Sequence, residues 1–132
     1  MAVVYPTRGD VLEIHRKELD VSGGATGVRD ESGIDAALER MQQVLFGEDA
    51  YPTLASEAAA FFQTLILRHP FVDGNKRTAV RTTYAFLEIN GRRVTANPEE
   101  TVELAQATAA GELDVDELAD WFEEHTAPKE DG

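Results

Sequence analysis

Arg68-His69-Pro70-Phe71-Val72-Asp73-Gly74-Asn75-Lys76-Arg77-Thr78-Ala79-Val80-Arg81 is the stretch around which the rest of the chain is read. Before it, Leu54, Ala58, Phe61, Phe62, Leu65 and Ile66 make a nearly all-round apolar stripe, which predicts a central buried helix starting near Thr53 or Ser56. Pro70 stops that helix, because a proline pushes the preceding residue out of the α region, and this leaves His69 at the turn. A loop of Pro70 to Gly74 then feeds a helix over Asn75 to Asn90, with Ala79, Val80, Thr83, Tyr84, Phe86 and Leu87 inward and Gly91 just past its end.

The flanking segments also read as helices. Asp10 to Leu19 carries Val11, Leu12, Ile14 and Leu19, and gives way to the Gly-rich loop Asp20 to Gly27. Ile34 to Phe46 places Ile34, Ala37, Leu38, Met41, Val44 and Leu45 at helical spacing, with Ser32 or Asp35 as caps. Asn97, Pro98, Glu99 and Glu100 form a strong start signal: a cap, a proline in the first turn, and negative charge facing the dipole. That helix runs to about Ala110. The last, Val115 to Glu124, is capped by Asp114 and turns Val115, Leu118, Ala119 and Phe122 inward. Nothing alternates as a strand should, although Tyr51 or Arg93-Val94-Thr95 suits a short extended piece. The expected architecture is all-α, about six helices in one domain over residues 1–126, followed by a disordered tail at 127–132.

Length and composition agree and exclude much else. The 132 residues suit one domain, the 42% apolar content suits a packed core, and no apolar run approaches the roughly 18 residues of a membrane span. Met1 to Pro6 lacks a basic and apolar leader, and the chain has no cysteine, so the expected location is the cytoplasm. Without cysteine there are no zinc fingers, iron–sulfur clusters or thiol nucleophiles, and three scattered histidines make no His-rich metal site. A net charge of −13 argues against nucleic-acid binding. Three lysines against nine arginines, with 25 acids, resemble a protein adapted to a salt-loaded cytosol, where molar salt shortens the Debye length to about 3 Å. An ordinary acidic protein is the alternative.

Against that background residues 68–81 carry a net +3, leaving −16 on the remainder. Cations in the first turn of a helix oppose its dipole by about 0.3–1 kcal/mol, and Arg77 and Arg81 repel at i, i+4. A bound anion removes both conflicts, and the main-chain N–H groups of Gly74, Asn75 and Lys76 form a nest that suits a phosphate. A Gly-Asn turn whose arginines pair with surface acids is the alternative. His69 faces the same loop and, as a neutral base, can take a proton from a hydroxyl attacking that phosphate; otherwise it is a capping or core histidine. Asp73 suits Mg²⁺, which takes one or two carboxylates beside phosphate oxygens; otherwise it is a turn residue.

His69-Pro70-Phe71-Val72-Asp73-Gly74-Asn75-Lys76-Arg77-Thr78 resembles the signature of the Fic/Doc family. Its Asn-Lys-Arg ending is similar to the death-on-curing (Doc) branch rather than to the Gly-Asn-Gly-Arg form of adenylylating Fic enzymes. Gly27-Val28-Arg29-Asp30 with Ile34 to Leu38, and Phe86 to Gly91, extend the resemblance. It implies a Fic/Doc-type helical bundle with His69 as general base, Phe71 as a core anchor of the loop, Asp73 as Mg²⁺ ligand, Gly74, Asn75 and Lys76 as anion hole, and Arg77 as phosphate clamp. It also implies a kinase that moves a phosphoryl group from ATP to a Ser/Thr hydroxyl of a protein, with a translation elongation factor as target. The alternatives are adenylyl transfer at the same site and an inactive protein-binding module. Two departures stand out: Val80 occupies the place of the adenylylating branch's second arginine, with Arg81 one residue late, and Thr53 to Glu57 is followed by Ala58 where the inhibitory motif requires Gly or Asn. Restraint is therefore expected in trans, from an antitoxin.

Weaker candidates lie elsewhere. Glu48, Asp49 and Tyr51 precede the buried helix, where the family places a flap that holds the target peptide as an added strand. Arg92 and Arg93 fall where positive charge suits the end of a helix. Arg8-Gly9-Asp10 is a chance three-letter match to an adhesion motif, His15 and His125 sit among charged neighbours, and Trp121 suits packing or an interface.

Overall fold

In the computed structural model, which describes residues 2–130, the elements run α1 (Arg8–Ser22), α2 (Glu31–Met41), β1 (Val44–Leu45), β2 (Glu48–Asp49), α3 (Leu54–Arg68), α4 (Asn75–Ile89), β3 (Arg92–Val94), α5 (Pro98–Ala109), α6 (Val115–Glu124) and β4 (Thr126–Pro128). Local chemistry sets most helix starts. Thr7 with Asp10, Thr53 with Ser56, Asn97 with Glu100 and Asp114 with Glu117 form reciprocal capping boxes, and Asp30 caps α2 through the Ser32 N–H. Only α4, among the described helices, begins without a side-chain cap.

Helix α3 is the axis, packed against α2, α4, α5 and α6. Ala58, Ala59, Phe61, Phe62, Leu65 and Ile66 are buried on it, as its sequence requires. Phe62 meets the edge of Phe122 with ring centroids 5.6 Å apart. Truncating such a phenylalanine to alanine costs about 3–5 kcal/mol, since the cavity left behind adds to the lost transfer energy. Helix α1 lies across α2 and α4. Tyr5, just before it, donates its hydroxyl hydrogen to Glu57 of α3. Arg8 pairs with Asp35 through two nitrogens (2.9 and 2.5 Å) and Asp10 caps its own helix, so the Arg-Gly-Asp triplet is structural.

Three expectations give way. Helix α2 stops at Met41 rather than Phe46, and Val44 to Asp49 form an antiparallel hairpin turning at Phe46 (φ 53) and Gly47 (φ 79). Val44, Leu45 and Phe46 are exposed. Helical spacing continues through Leu45, but Gly47 costs a helix about 1 kcal/mol and suits a two-residue hairpin turn with positive φ. At the other end, Thr126–Pro128 pairs with Arg92–Val94, and the Lys129 N–H donates to Gly91 O (2.9 Å). The expected tail is thus strand up to Pro128, while Asp131 and Gly132 lie outside the described residues. Arg92 belongs to this sheet, donating to the hydroxyl and carbonyl of Thr126 (3.2 and 3.1 Å), and does not close a helix.

Candidate active site

His69 ends α3 in the left-handed conformation (φ 46, ψ 58). Such backbone costs a non-glycine residue about 1–3 kcal/mol and persists only where its surroundings hold it. Here residues 27–30 hold it. The Arg29 guanidinium donates to His69 O (2.6 Å), the N–H groups of Arg29 and Asp30 both donate to Pro70 O (2.8 and 3.0 Å), and the Val72 N–H donates to Gly27 O (3.1 Å). Val28 bridges to Phe71 in strand fashion. The His69 side chain remains exposed, and its ring makes no hydrogen bond among the described residues.

The loop closes on itself through Asn75, whose amide accepts from the Phe71 N–H and donates to Phe71 O (both 2.9 Å). Phe71 is fully buried and packs face to face on His15 of α1. Gly74 takes φ 79, the left-handed region where a side chain is strained, and turns the chain into α4. Its own N–H donates to Asp73 Oδ1 (2.8 Å), so it is not an open member of the expected nest. The N–H groups of Asn75, Lys76 and Arg77 meet no protein acceptor among the described residues, which leaves an uncapped, positive helix end facing the loop.

Asp73 Oδ2 accepts from the Ala25 N–H (3.2 Å), and a Cβ on Gly24 would sit 2.6 Å from the same oxygen. The Ala25 and Gly74 N–H donors, then Arg77 and His15, hold the Asp73 carboxyl below the ordinary carboxylate range. It is ionised and half exposed, and each oxygen keeps a lone pair beyond the N–H it accepts. One such carboxylate fits Mg²⁺ arriving with phosphate oxygens; among the described residues no cluster of three His, Asp or Glu offers a fuller ligand set.

His69, Val72, Asp73, Asn75, Lys76 and Arg77 line a cleft of about 360 Å³. The basic island divides within it. Arg68 pairs with the surface acid Asp30 (3.6 Å), as the alternative reading required, and Arg81 with the nearly buried Glu18 (3.2 Å). Arg77 leans between Gly23 O (3.4 Å) and Asp73 (4.0 Å), and Lys76 meets no carboxylate among the described residues. Beyond Lys76 and Arg77 an apolar groove of about 570 Å³ opens between α4 and α5, lined by Val80, Tyr84, Thr101, Val102 and Ala105. Glu48 and Asp49 form β2, and Tyr51 follows it, accepting from Arg40 (2.9 Å). His125 stacks on Trp121 and bonds Glu100 (3.1 Å), away from the cleft.

The clamp from residues 27–30, the groove and His15 went unassigned in the sequence. For Gly27 to Asp30 a signal existed in their likeness to a family segment. His15 offered none, because its partners lie more than 50 residues away.

Residues 5–87, which include this left-handed histidine and the uncapped start of α4, match the Fic/DOC family. The chain is 41% identical over 99 residues to Toxin Doc of Mycolicibacterium smegmatis (strain ATCC 700084 / mc(2)155), covering 74% of this chain and 76% of that protein. It is 30% identical over 111 residues to Protein kinase doc of Escherichia phage P1, covering 84% and 86%. The chain therefore belongs to the Fic/Doc family, in its death-on-curing branch.

Proposed function

We propose that this protein is a Doc-type toxin that transfers the γ-phosphoryl group of ATP to a Ser/Thr hydroxyl of a protein target. The observation that carries the reading is that exposed His69 lines one cleft together with the uncapped start of α4. Support also comes from relatives named as a toxin and a protein kinase.

The chain's own groups divide the work as follows. The N–H groups of Asn75 and Lys76, with the Lys76 ammonium and Arg77 guanidinium, bind the phosphate and neutralise charge as it develops on the transferred group. The apolar groove between α4 and α5 takes the nucleoside. His69 accepts the proton from the attacking hydroxyl, which forms its bond to phosphorus as the bond to the ADP oxygen breaks. Asp73 would hold Mg²⁺, which supplies further charge neutralisation on the phosphates when bound. The β1–β2 hairpin, with Glu48, Asp49 and nearby Tyr51, serves as the docking flap by lending an edge to an extended target segment. The resemblance directs the target reading to a translation elongation factor, the restraint to an antitoxin in trans, and the location to the cytoplasm.

Incubation of the protein with cell extract and ATP labelled at either the α or the γ position tests this. Label from the γ position should reach a protein target and label from the α position should not. The opposite pattern would make the protein an adenylyltransferase, and no label in either case would make it a binder. Expression alone should arrest growth, and His69→Ala should relieve the arrest.

A further inference from the structure

His15 is buried in α1 and lies flat on Phe71, with ring centroids 3.7 Å apart and planes 7° from parallel. Its Nε2 stands 2.8 Å from the main-chain oxygen of Asp73. A carbonyl oxygen only accepts, so Nε2 carries the hydrogen and donates it. His15 does not line the cleft. The Asp73 carbonyl therefore points toward α1, on the side away from the phosphate cradle.

We propose that His15 is a positioning residue that locks the Asp73–Gly74 peptide in the one orientation compatible with anion binding. The proposal rests on the reading of the α4 start as a phosphate site. A peptide unit that rotates about its long axis exchanges the directions of its C=O and N–H. Rotation carries Gly74 from φ 79 to negative φ, and glycine, having no Cβ, populates both signs at similar cost, so nothing in the residue itself holds the observed orientation. In the rotated state the carbonyl dipole faces the cradle and repels a phosphate, and the Gly74 N–H leaves Asp73 Oδ1, loosening the carboxylate as well. The His15 hydrogen bond opposes that rotation, and the stack on Phe71 fixes the ring that makes it. A single net hydrogen bond shifts such an equilibrium by about 2- to 10-fold.

Two variants separate the hydrogen bond from the packing. His15→Phe keeps a flat ring against Phe71 and removes the N–H; His15→Gln places an N–H at similar reach and removes the ring. Melting curves establish that each is folded, and if His15→Phe is not, His15→Leu compared with His15→Gln makes the same contrast. Amide hydrogen exchange of residues 72–77 in the unliganded proteins reads the loop directly, and calorimetric titration with ATP reads the cradle. The expected result is faster exchange and about 10-fold weaker ATP binding in His15→Phe, with both restored to within about threefold of wild type in His15→Gln. The reverse ranking, with His15→Phe like wild type and His15→Gln impaired, would show that the ring only packs and would overturn the proposal. If wild type itself binds no ATP, the phosphate-site reading fails, and the exchange ranking still decides whether the lock exists.

Discussion

Asn75 holds both main-chain polar groups of Phe71, accepting from its N–H and donating to its carbonyl at 2.9 Å each. One side chain thus closes the loop between α3 and α4 across four residues, while its own backbone N–H belongs to the proposed anion cradle. Asn75→Ala removes two hydrogen bonds, and at about 0.5–1.5 kcal/mol net each the expected loss is about 1–3 kcal/mol. Asn75→Asp keeps only the acceptor half and adds negative charge beside the cradle. It should weaken ATP binding more than Asn75→Ala does, which titration calorimetry on the two variants would show or refute.

His69→Ala removes the proposed base and should slow phosphoryl transfer by about 10²–10⁴, with the melting temperature unchanged because the ring is exposed and makes no hydrogen bond among the described residues. Lys76→Ala should weaken nucleotide binding without loss of stability. Arg81→Ala should lower the melting temperature, because Arg81 pairs with Glu18, whose side chain is 9% exposed, and removing the cation leaves that carboxylate with only the Ser22 hydroxyl. Transfer kinetics and thermal melts on the three variants give this pattern or exclude it.

Phe46 sits at φ 53 at the tip of the hairpin, fully exposed. A bulky side chain there gains nothing from packing and carries backbone strain, whereas Asn-Gly is the favoured two-residue turn of this kind. Phe46→Asn should therefore stabilise the protein by about 1 kcal/mol. If Phe46 anchors a target segment, the same variant will modify its target more slowly while melting at a higher temperature.

Burial raises the Glu57 carboxyl above its ordinary value, with Asp49 adding to the shift, and the Tyr5 phenol beside it is pushed up to about 12, by burial first and Glu57 second. Because the folded state holds the Glu57 proton more tightly than the unfolded one, this stability is present below the ordinary carboxylate range. It is lost as pH rises through the raised value. Glu57→Gln keeps an acceptor for the Tyr5 hydroxyl and removes the ionisation, so it should raise the melting temperature at pH 7 and not at pH 4. An equal effect at both pH values would mean that the ionisation plays no part.

With −16 outside residues 68–81, mutual repulsion of surface acids should be relieved by added salt. The melting temperature should rise from low to molar KCl. A flat or falling trend would leave the charge as that of an ordinary acidic protein.

How much of this was legible in the sequence follows from how far apart the partners lie. The caps of α3, α5 and α6 join residues three apart, and the α3 stripe repeats every three or four, so their existence and limits could be read directly. The signature is contiguous as well: His69, Asp73, Asn75, Lys76 and Arg77 are neighbours in the chain before they are neighbours in space. Only the tertiary structure decided what holds them. His15 reaches Asp73 across 58 residues, Arg29 reaches His69 across 40, and Arg81 pairs with Glu18 of α1, none of which leaves a periodic trace. Thr126–Pro128 reads as a polar tail because a three-residue edge strand is too short to show alternation and is stabilised by the partner it finds in Arg92–Val94. The sequence by itself determined α3, α4, α5 and α6 and the run of polar side chains between α3 and α4, since these rest on local hydrogen bonds, apolar spacing and side-chain identity. The orientation of the loop between α3 and α4 rests on contacts that exist only once α1 and residues 27–30 have folded over it.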